Sequence, residues 1–367
     1  MSRRGPAEAG YYVLRALAGA IGLCLIPTDN WAQTNDVNVQ FHAFQDTRGV
    51  TVLTPNVDVS QDVTDRISVK GSYALDAISA ASDSCARCHR HGVDSKRKVG
   101  GVSVTSKVGS LKISAGGAYS LEDFYRSTTV LTSVSRDLAN GNTTVAGGYS
   151  FSLNRPTVHP TPQVRSQYAN GGFASLTQTL TKTTIGQVGY ELGIVTGYQD
   201  NPYLRTSVNG VMTLGQVPDR RTRHTLTGRL RQALPTDTYV EADYRRYFDD
   251  WGVRSTAVSA GLSHHFTSRI LGNFAYRWYS QTGASFYQPS YTGSIPQFFT
   301  ADFRLAPFTS GLYTGKIVIT PRRRLLWLPA DTGVTLQYDR YRADKGFDAA
   351  IFSAGLRVPI RLRDIIR

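Results

Sequence analysis

Sulfur is scarce in this chain: 367 residues include three cysteines and two methionines. Charge is thin as well, at 19% of residues, while 41% are hydrophobic. That balance does not suit a disordered chain, which needs low hydrophobicity and high net charge. No apolar run reaches the ~18 residues that mark a spanning helix, so a helical membrane protein is excluded. Glycine (34) and tyrosine (20) are abundant instead, and the mean hydropathy is −0.25. A barrel with an apolar outside and a polar inside averages to such a value. The net charge of +14 first points to nucleic acid. However, the basic residues are dispersed except at Lys96-Arg97-Lys98 and Arg322-Arg323-Arg324, and no helical reading unit accompanies them. Nucleic acid is therefore not an expected partner. A basic lumen, or basic loops facing anionic solutes or lipid headgroups, accounts better for the charge.

The N-terminus sets the expected compartment. Arg3 and Arg4 precede a short apolar stretch from Val13 to Ile26, and Pro27 leads into Asp29-Asn30-Trp31-Ala32-Gln33. This reads as a secretory signal peptide over residues 1–32, cut after Ala32 and removed together with Cys24. The mature barrel is then expected over residues 33–367.

From about residue 36 the sequence alternates. Ile67, Val69, Gly71, Tyr73 and Leu75 share one face, against Ser68, Lys70, Ser72 and Asp76 on the other. The same period recurs in Leu111–Glu122, in Gln187–Ile194, in Ile270–Trp278 with aromatics closing the stripe, and in Ala350–Ile360. Period two is the strand signal, and ~10-residue segments suit tilted spanning strands. Short turns at Asp62–Asp65, Val108–Ser110, Ala139–Asn142, Thr181–Thr183, Pro235–Thr238 and Phe266–Ser268 alternate with long connections. The long ones are Ala80–Lys98, Asn154–Asn170, Gln199–Arg221 and Gln281–Pro307. The pattern predicts an all-β transmembrane antiparallel barrel of about 16 strands (14–18), with termini and short turns periplasmic and long loops extracellular. The competing fold is a soluble sandwich or propeller, which would hide its apolar stripe in a core.

Several stretches carry a resemblance to a known family. They are Asp76-Ala77-Ile78-Ser79-Ala80-Ala81-Ser82, Gly197-Tyr198-Gln199-Asp200-Asn201-Pro202-Tyr203 and Asp243-Tyr244-Arg245-Arg246-Tyr247-Phe248-Asp249-Asp250-Trp251-Gly252. Tyr276-Arg277-Trp278-Tyr279-Ser280-Gln281, Ser285-Phe286-Tyr287 and Thr300-Ala301-Asp302-Phe303-Arg304-Leu305 extend the set. Together they resemble the bacterial outer-membrane barrel family called domain of unknown function 3570 (DUF3570). The resemblance implies a barrel in the Gram-negative outer membrane, in contact with its lipid, and supplies no established activity. The chain departs from that family at Asp83–Lys98, where the family segment is short and lacks cysteine. It also ends in Asp364-Ile365-Ile366-Arg367 and not in a terminal aromatic.

The departing segment holds Cys85-Ala86-Arg87-Cys88-His89. Cys-x-x-Cys-His is the c-type haem attachment sequence. Two thiols at this spacing add across the two vinyl groups of one porphyrin, and the adjacent histidine faces the iron. The reading is one covalent haem c held by Cys85 and Cys88, with His89 as proximal ligand, on a loop at about residues 80–98. A loop-closing disulfide, a redox dithiol or a zinc site with His89 and His91 are the alternatives. His42, His159 and Met212 are candidates for the sixth iron ligand, and an open sixth position is a further alternative. His224 is not placed by the pattern, while His264 and His265 fall near a periplasmic turn. Arg87, Arg90, Lys96, Arg97 and Lys98 either pair with haem propionates or solvate the loop. Asp76, Glu122, Glu191, Glu241 and Asp243 read as inward carboxylates facing lumenal cations.

No nucleophile–base constellation and no phosphate loop is present, so the chain is not expected to be an enzyme. Two functions follow, with a haem peroxidase or sensor as a third if the sixth iron position is open. One is electron transfer at the cell surface with partner cytochromes or soluble electron carriers. The other is a passive porin or structural barrel whose cysteine pair is a disulfide or metal site.

Overall fold

The computed structural model describes residues 35–359 apart from 48, 81–92, 159–161, 203, 323–328, 330 and 345. The signal-peptide segment lies outside the described residues. In chain order the strands are β1 (Asp36–Asp46), β2 (Thr51–Asp62), β3 (Ile67–Ala80), β4 (Val93–Val108), β5 (Leu111–Glu122), β6 (Tyr125–Leu138) and β7 (Thr143–Val158). Next come β8 (Gln163–Val164), β9 (Gln167–Thr179), β10 (Thr184–Gly197), β11 (Thr206–Val208), β12 (Val211–Thr213), β13 (Arg220–Leu234) and β14 (Thr238–Asp249). The series ends with β15 (Arg254–Thr267), β16 (Ile270–Gln281), β17 (Ser290–Tyr291), β18 (Phe308–Ile319), β19 (Gly333–Ala343) and β20 (Asp348–Pro359).

Among the described residues, sixteen of these strands form one antiparallel wall, with β8, β11, β12 and β17 standing outside it. Each wall strand pairs with the next. The ring closes where β20 meets β1, with Asp36 opposite Pro359 and His42 opposite Ser353. Closure leaves no strand edge unpaired, which is the condition for a sheet to sit in hydrocarbon. The six short turns read from the sequence and both described chain ends lie at one end of the barrel, together with the longer 320–332 connection. The long connections read from the sequence lie at the other end, alternating there with short ones at 47–50, 123–124, 250–253 and 344–347.

The distribution of apolar side chains decides what surrounds the wall. Val39, Phe41, Val102, Val104, Phe274 and Trp278 point outward and are exposed. Fully hiding one such side chain is worth roughly 1.5–3 kcal/mol. A belt of them around the whole wall is therefore stable against lipid tails and not against water. Buried apolar clusters occur instead at the long-connection end: Phe44, Val50, Val52 and Ala349 in one, Trp251, Val253, Ala284 and Leu305 in the other. A soluble sandwich would show the reverse pattern. The fold is that of a transmembrane barrel.

The inner face is polar and tightly fitted. On β7, Gly148 lies opposite Phe173 of β9. A Cβ at Gly148 would stand 2.4 Å from the Phe173 ring and 2.6 Å from the Thr132 carbonyl oxygen. The missing side chain lets the ring lie flat across the neighbouring strand.

Two expected loops shorten. β4 already begins at Val93, β7 runs to Val158 and β9 starts at Gln167. Beyond the apolar band both faces of a strand can be polar, so Val93–Lys98 (VDSKRK) continues the ladder without the alternation that betrays a strand.

Candidate functional site

At the long-connection end, two segments far apart in sequence fold onto each other. β11 and β12 form a tight hairpin through Asn209 and Gly210, both with positive φ (50° and 81°), as a type I′ turn requires. β17, from the segment between β16 and β18, pairs parallel to β11 at Ser207 and Ser290. Gln216 bridges Phe299, and the Ala301 N–H donates to the Thr206 hydroxyl at 3.0 Å. The two connections therefore make one cap over the β10–β18 side of the mouth.

Asp249 at the end of β14 anchors the cap. Its Oδ1 accepts the N–H groups of Trp251 and Val253, each at 3.0 Å, closing the β14–β15 turn. Its Oδ2 accepts Arg221 Nε at 2.8 Å and the Tyr247 hydroxyl at 2.6 Å. The Arg221 guanidinium lies 4.4 Å from the Trp251 ring centre, and Trp251 Nε1 donates to the Arg220 carbonyl at 2.9 Å. Asp302 caps the short 3-10 turn Phe303–Leu305 and holds Arg304. Nearby, Asp200 has one sealed carboxyl oxygen, Oδ2, without a hydrogen-bond partner. Burial pushes its carboxyl up to about 7, with the Asp302 charge adding to the effect. Burial also raises the Tyr198 hydroxyl beside it.

A second arrangement sits beneath the 81–92 connection. The Thr54 hydroxyl donates to Asp76 Oδ1 at 2.8 Å. Arg97 lies 3.9 Å from Asp76 Oδ2 and donates from Nε to the Ser120 hydroxyl at 3.0 Å. This inward chain ties β2, β3, β4 and β5 together. Asp76 and Arg97 are also register partners, four pairs below Ala80 and Val93.

The third arrangement is a sector of inward arginines on β13, β14 and β16. Towards the short-turn end each has a carboxylate: Arg229 meets Asp243 at 2.6 Å and Arg231 meets Glu241 at 3.4 Å. Higher up, Arg223, Arg245 and Arg277 form no ion pair within 4 Å among the described residues. The Arg223 Nε is buried without a hydrogen-bond partner, close to Arg221 and Arg304. Glu191 acts on Arg245 from beyond ion-pair distance.

The sequence-derived haem residues Cys85, Cys88 and His89, together with His91 and His159, lie outside the described residues. Their connection does join β3 to β4 at the long-connection end, as expected. His42 is on the inner wall as read from the pattern, with Nδ1 2.7 Å from the Ser353 hydroxyl. Its strand does not adjoin the β3–β4 hairpin; β2 intervenes, because the ring closes β1 onto β20. Met212 is exposed on β12 in the cap, which belongs to a different part of the mouth. His224 turns outward, bonded to the Tyr190 hydroxyl at 2.7 Å and stacked on Phe248. His264 lies near the short-turn end, 2.9 Å from Thr238. Among the basic residues around the motif, Arg97 is engaged by Asp76 and Ser120, while Lys96 and Lys98 face outward.

The cap is where the sequence comparison falls. Residues 164–322 match the family described as protein of unknown function (DUF3570). The DUF3570 match runs from the end of β8 through β18, and so contains the whole cap and the arginine sector. The 81–92 connection lies outside it. Among curated proteins none is significantly similar in sequence. Among solved structures, a bacterial polysaccharide outer membrane secretin is similar at TM-score 0.50 and 10% identity, over 89% of this chain and 99% of that one. Pseudomonas aeruginosa OccK5 (OpdH) is similar at 0.49 and 10%, over 89% and 98%. Pseudomonas aeruginosa OpdK, solved with vanillate, is similar at 0.47 and 10%, over 89% and 97%. At such identities the likeness concerns the fold.

Alternation alone does not find Asp200, Asp249, Asp302 or Arg223. Three of the four lie within the aromatic-rich stretches that carry the DUF3570 resemblance, and those stretches are the hinges and caps of the folded loops. Arg223 lies between them, and its signal is only that it shares the period-two face of Arg221, Arg229 and Arg231.

Proposed function

We propose that this chain is an outer-membrane diffusion channel whose lumen favours small anionic solutes. The observation that carries the reading is the sector of inward arginines, Arg223, Arg245 and Arg277, with no carboxylate within ion-pair distance among the described residues, in the wall of a closed barrel. Supporting the compartment are the signal-like N-terminus, the outward apolar belt and the barrel fold. Cations lining a low-dielectric channel raise the local concentration of anions and lower the barrier to their passage. The test is reversal potential in planar bilayers under a salt gradient. We expect anion preference in wild type and a shift toward cations in Arg245→Gln/Arg277→Gln. The contrast should weaken at high salt, because the Debye length shrinks from ~10 Å at 0.1 M to ~3 Å at 1 M. A barrel that inserts but shows no ion preference, or no conductance, counts against the proposal.

A second reading rests on Cys85-Ala86-Arg87-Cys88-His89. The sequence is that of c-type haem attachment, and it stands in an exported chain that keeps these two cysteines alone after signal removal. Cys85 and Cys88 would hold the porphyrin and His89 the iron; when bound, the group supplies one-electron transfer. His42 would have to leave Ser353 to ligate it. The apolar band of a barrel is ~25 Å tall, so one haem at the outer mouth needs partner cytochromes or a soluble carrier to reach the periplasm. Staining the denatured protein for covalent haem checks this: a stain lost in Cys85→Ala/Cys88→Ala supports it. An unstained wild type, produced with cytochrome maturation active, leaves the channel alone standing.

A further inference from the structure

The outward face just beyond the belt is not uniform around the ring. Lys98 of β4 pairs with Leu121 of β5, Leu121 pairs with Arg126 of β6, and Arg126 pairs with Arg155 of β7. The four positions form one row across four neighbouring strands. Their parity follows that of Val102, Tyr119, Val130 and Tyr149, which face outward, and Lys98, Arg126 and Arg155 are exposed. None of the three has an ion pair or a side-chain hydrogen bond among the described residues.

Two features make the row unusual. Arg126 and Arg155 stand directly opposite each other across a strand pair, where Cβ atoms lie ~4.5–5.5 Å apart and like charges repel. One register step toward the belt lies Tyr119, opposite Gly100 and Thr128, with Tyr73 and Tyr168 completing that level. Outward aromatics mark the membrane interface, and the next position out is the level of the headgroup phosphates. Three cations elsewhere on the outward rim are answered from within the chain: Arg340 meets Asp348 at 2.7 Å, Arg342 lies 3.9 Å from the same carboxylate, and Arg246 donates to Thr256 at 2.6 Å.

We infer that Lys98, Arg126 and Arg155 form a binding site for the sugar-linked phosphate of a phosphorylated glycolipid in the outer leaflet. A phosphate oxygen set placed between Arg126 and Arg155 turns their repulsion into two charge-assisted contacts, with Lys98 as a third. The acyl chains then lie along Tyr73, Tyr119 and Tyr149. The inference rests on the outer-membrane reading, with the long connections outside the cell.

The experiment uses the full barrel purified in mild detergent, with diphosphorylated lipid A as the probe and native mass spectrometry as readout. Wild type should retain lipid A, Lys98→Gln/Arg126→Gln/Arg155→Gln should lose at least tenfold of it, and Arg340→Gln/Arg342→Gln should keep it. Dephosphorylated lipid A should not bind. Heat-modifiable migration on gels verifies that each variant is folded; if the triple variant does not fold, the single Arg126→Gln and Arg155→Gln variants carry the same comparison. Equal retention by the folded variants overturns the site, as does displacement by inorganic phosphate at the same concentration as lipid A. Membrane fractionation of cells tests the compartment separately, so a barrel absent from the outer membrane sinks that reading and not the chemistry of the row.

Discussion

At the scale of the residue, the cap depends on carboxylates in unequal roles. Asp249 spends both oxygens on five donor groups from four residues, whereas Asp200 keeps one oxygen sealed and unpartnered. Asp200 therefore favours its neutral form in the folded cap, with a carboxyl raised from 3.8 to about 7. The linkage sign follows: an acid raised by folding contributes stability below its unfolded value, and that contribution is lost as pH rises toward the folded one. The cap should accordingly protect its backbone amides better at pH 4 than at pH 8. Hydrogen exchange on residues 198–219 and 282–307 measures this once corrected for intrinsic rates. Asp200→Asn should flatten the dependence; an unchanged pH profile in that variant would refute the assignment. Little of this was legible in the sequence. Asp200 is one acid among many in a polar stretch, and what seals it, the packing of a second connection onto the first, is a long-range fact that no local pattern encodes.

At the scale of the element, period two carried most of the information. Ile67–Leu75, Leu111–Tyr119 and Val188–Ile194 are outward stripes of wall strands, as alternation requires when one face meets lipid and the other water. The reading weakened where that asymmetry ends. Val93–Lys98 is strand with charges on both faces, and β11, β12 and β17 are too short to show a period. Glycine placement was equally silent, since Gly148 looks like any small residue until Phe173 is seen across it. Gly148→Val should destabilise the barrel by about 1–3 kcal/mol, the usual cost of overpacking. Adding Phe173→Ala should recover part of the loss. Urea unfolding in detergent, followed by tryptophan fluorescence, reads both; a neutral Gly148→Val would mean that the wall yields where it is drawn as tight.

At the scale of the whole molecule, strand number, closure and the side of most connections were readable, because they follow from counting stripes and turns. The mouth was not, because its cap joins residues some 90 positions apart, such as Ala301 and Thr206 (|i−j| = 95). Below the opposite rim, the Thr54–Asp76–Arg97–Ser120 chain fixes the register of four strands independently of what joins β3 to β4. Replacing residues 81–92 by a two-residue Asn-Gly turn should therefore leave the barrel folded and heat-modifiable while removing any covalent haem. Loss of the folded band in that variant would show that the connection itself holds the hairpin.

The seam between β20 and β1 has a consequence for how the chain can be written. Asp36 and Pro359 face each other in one hydrogen-bonded ladder, with Arg357 Nε donating to Asp36 at 2.7 Å. Around the wall there is thus no first strand and no last: a turn like those already present at that end would join them, and the ring could be opened at any long connection instead. The barrel is a circular permutation waiting for a choice of ends, and its order in sequence is not dictated by its architecture.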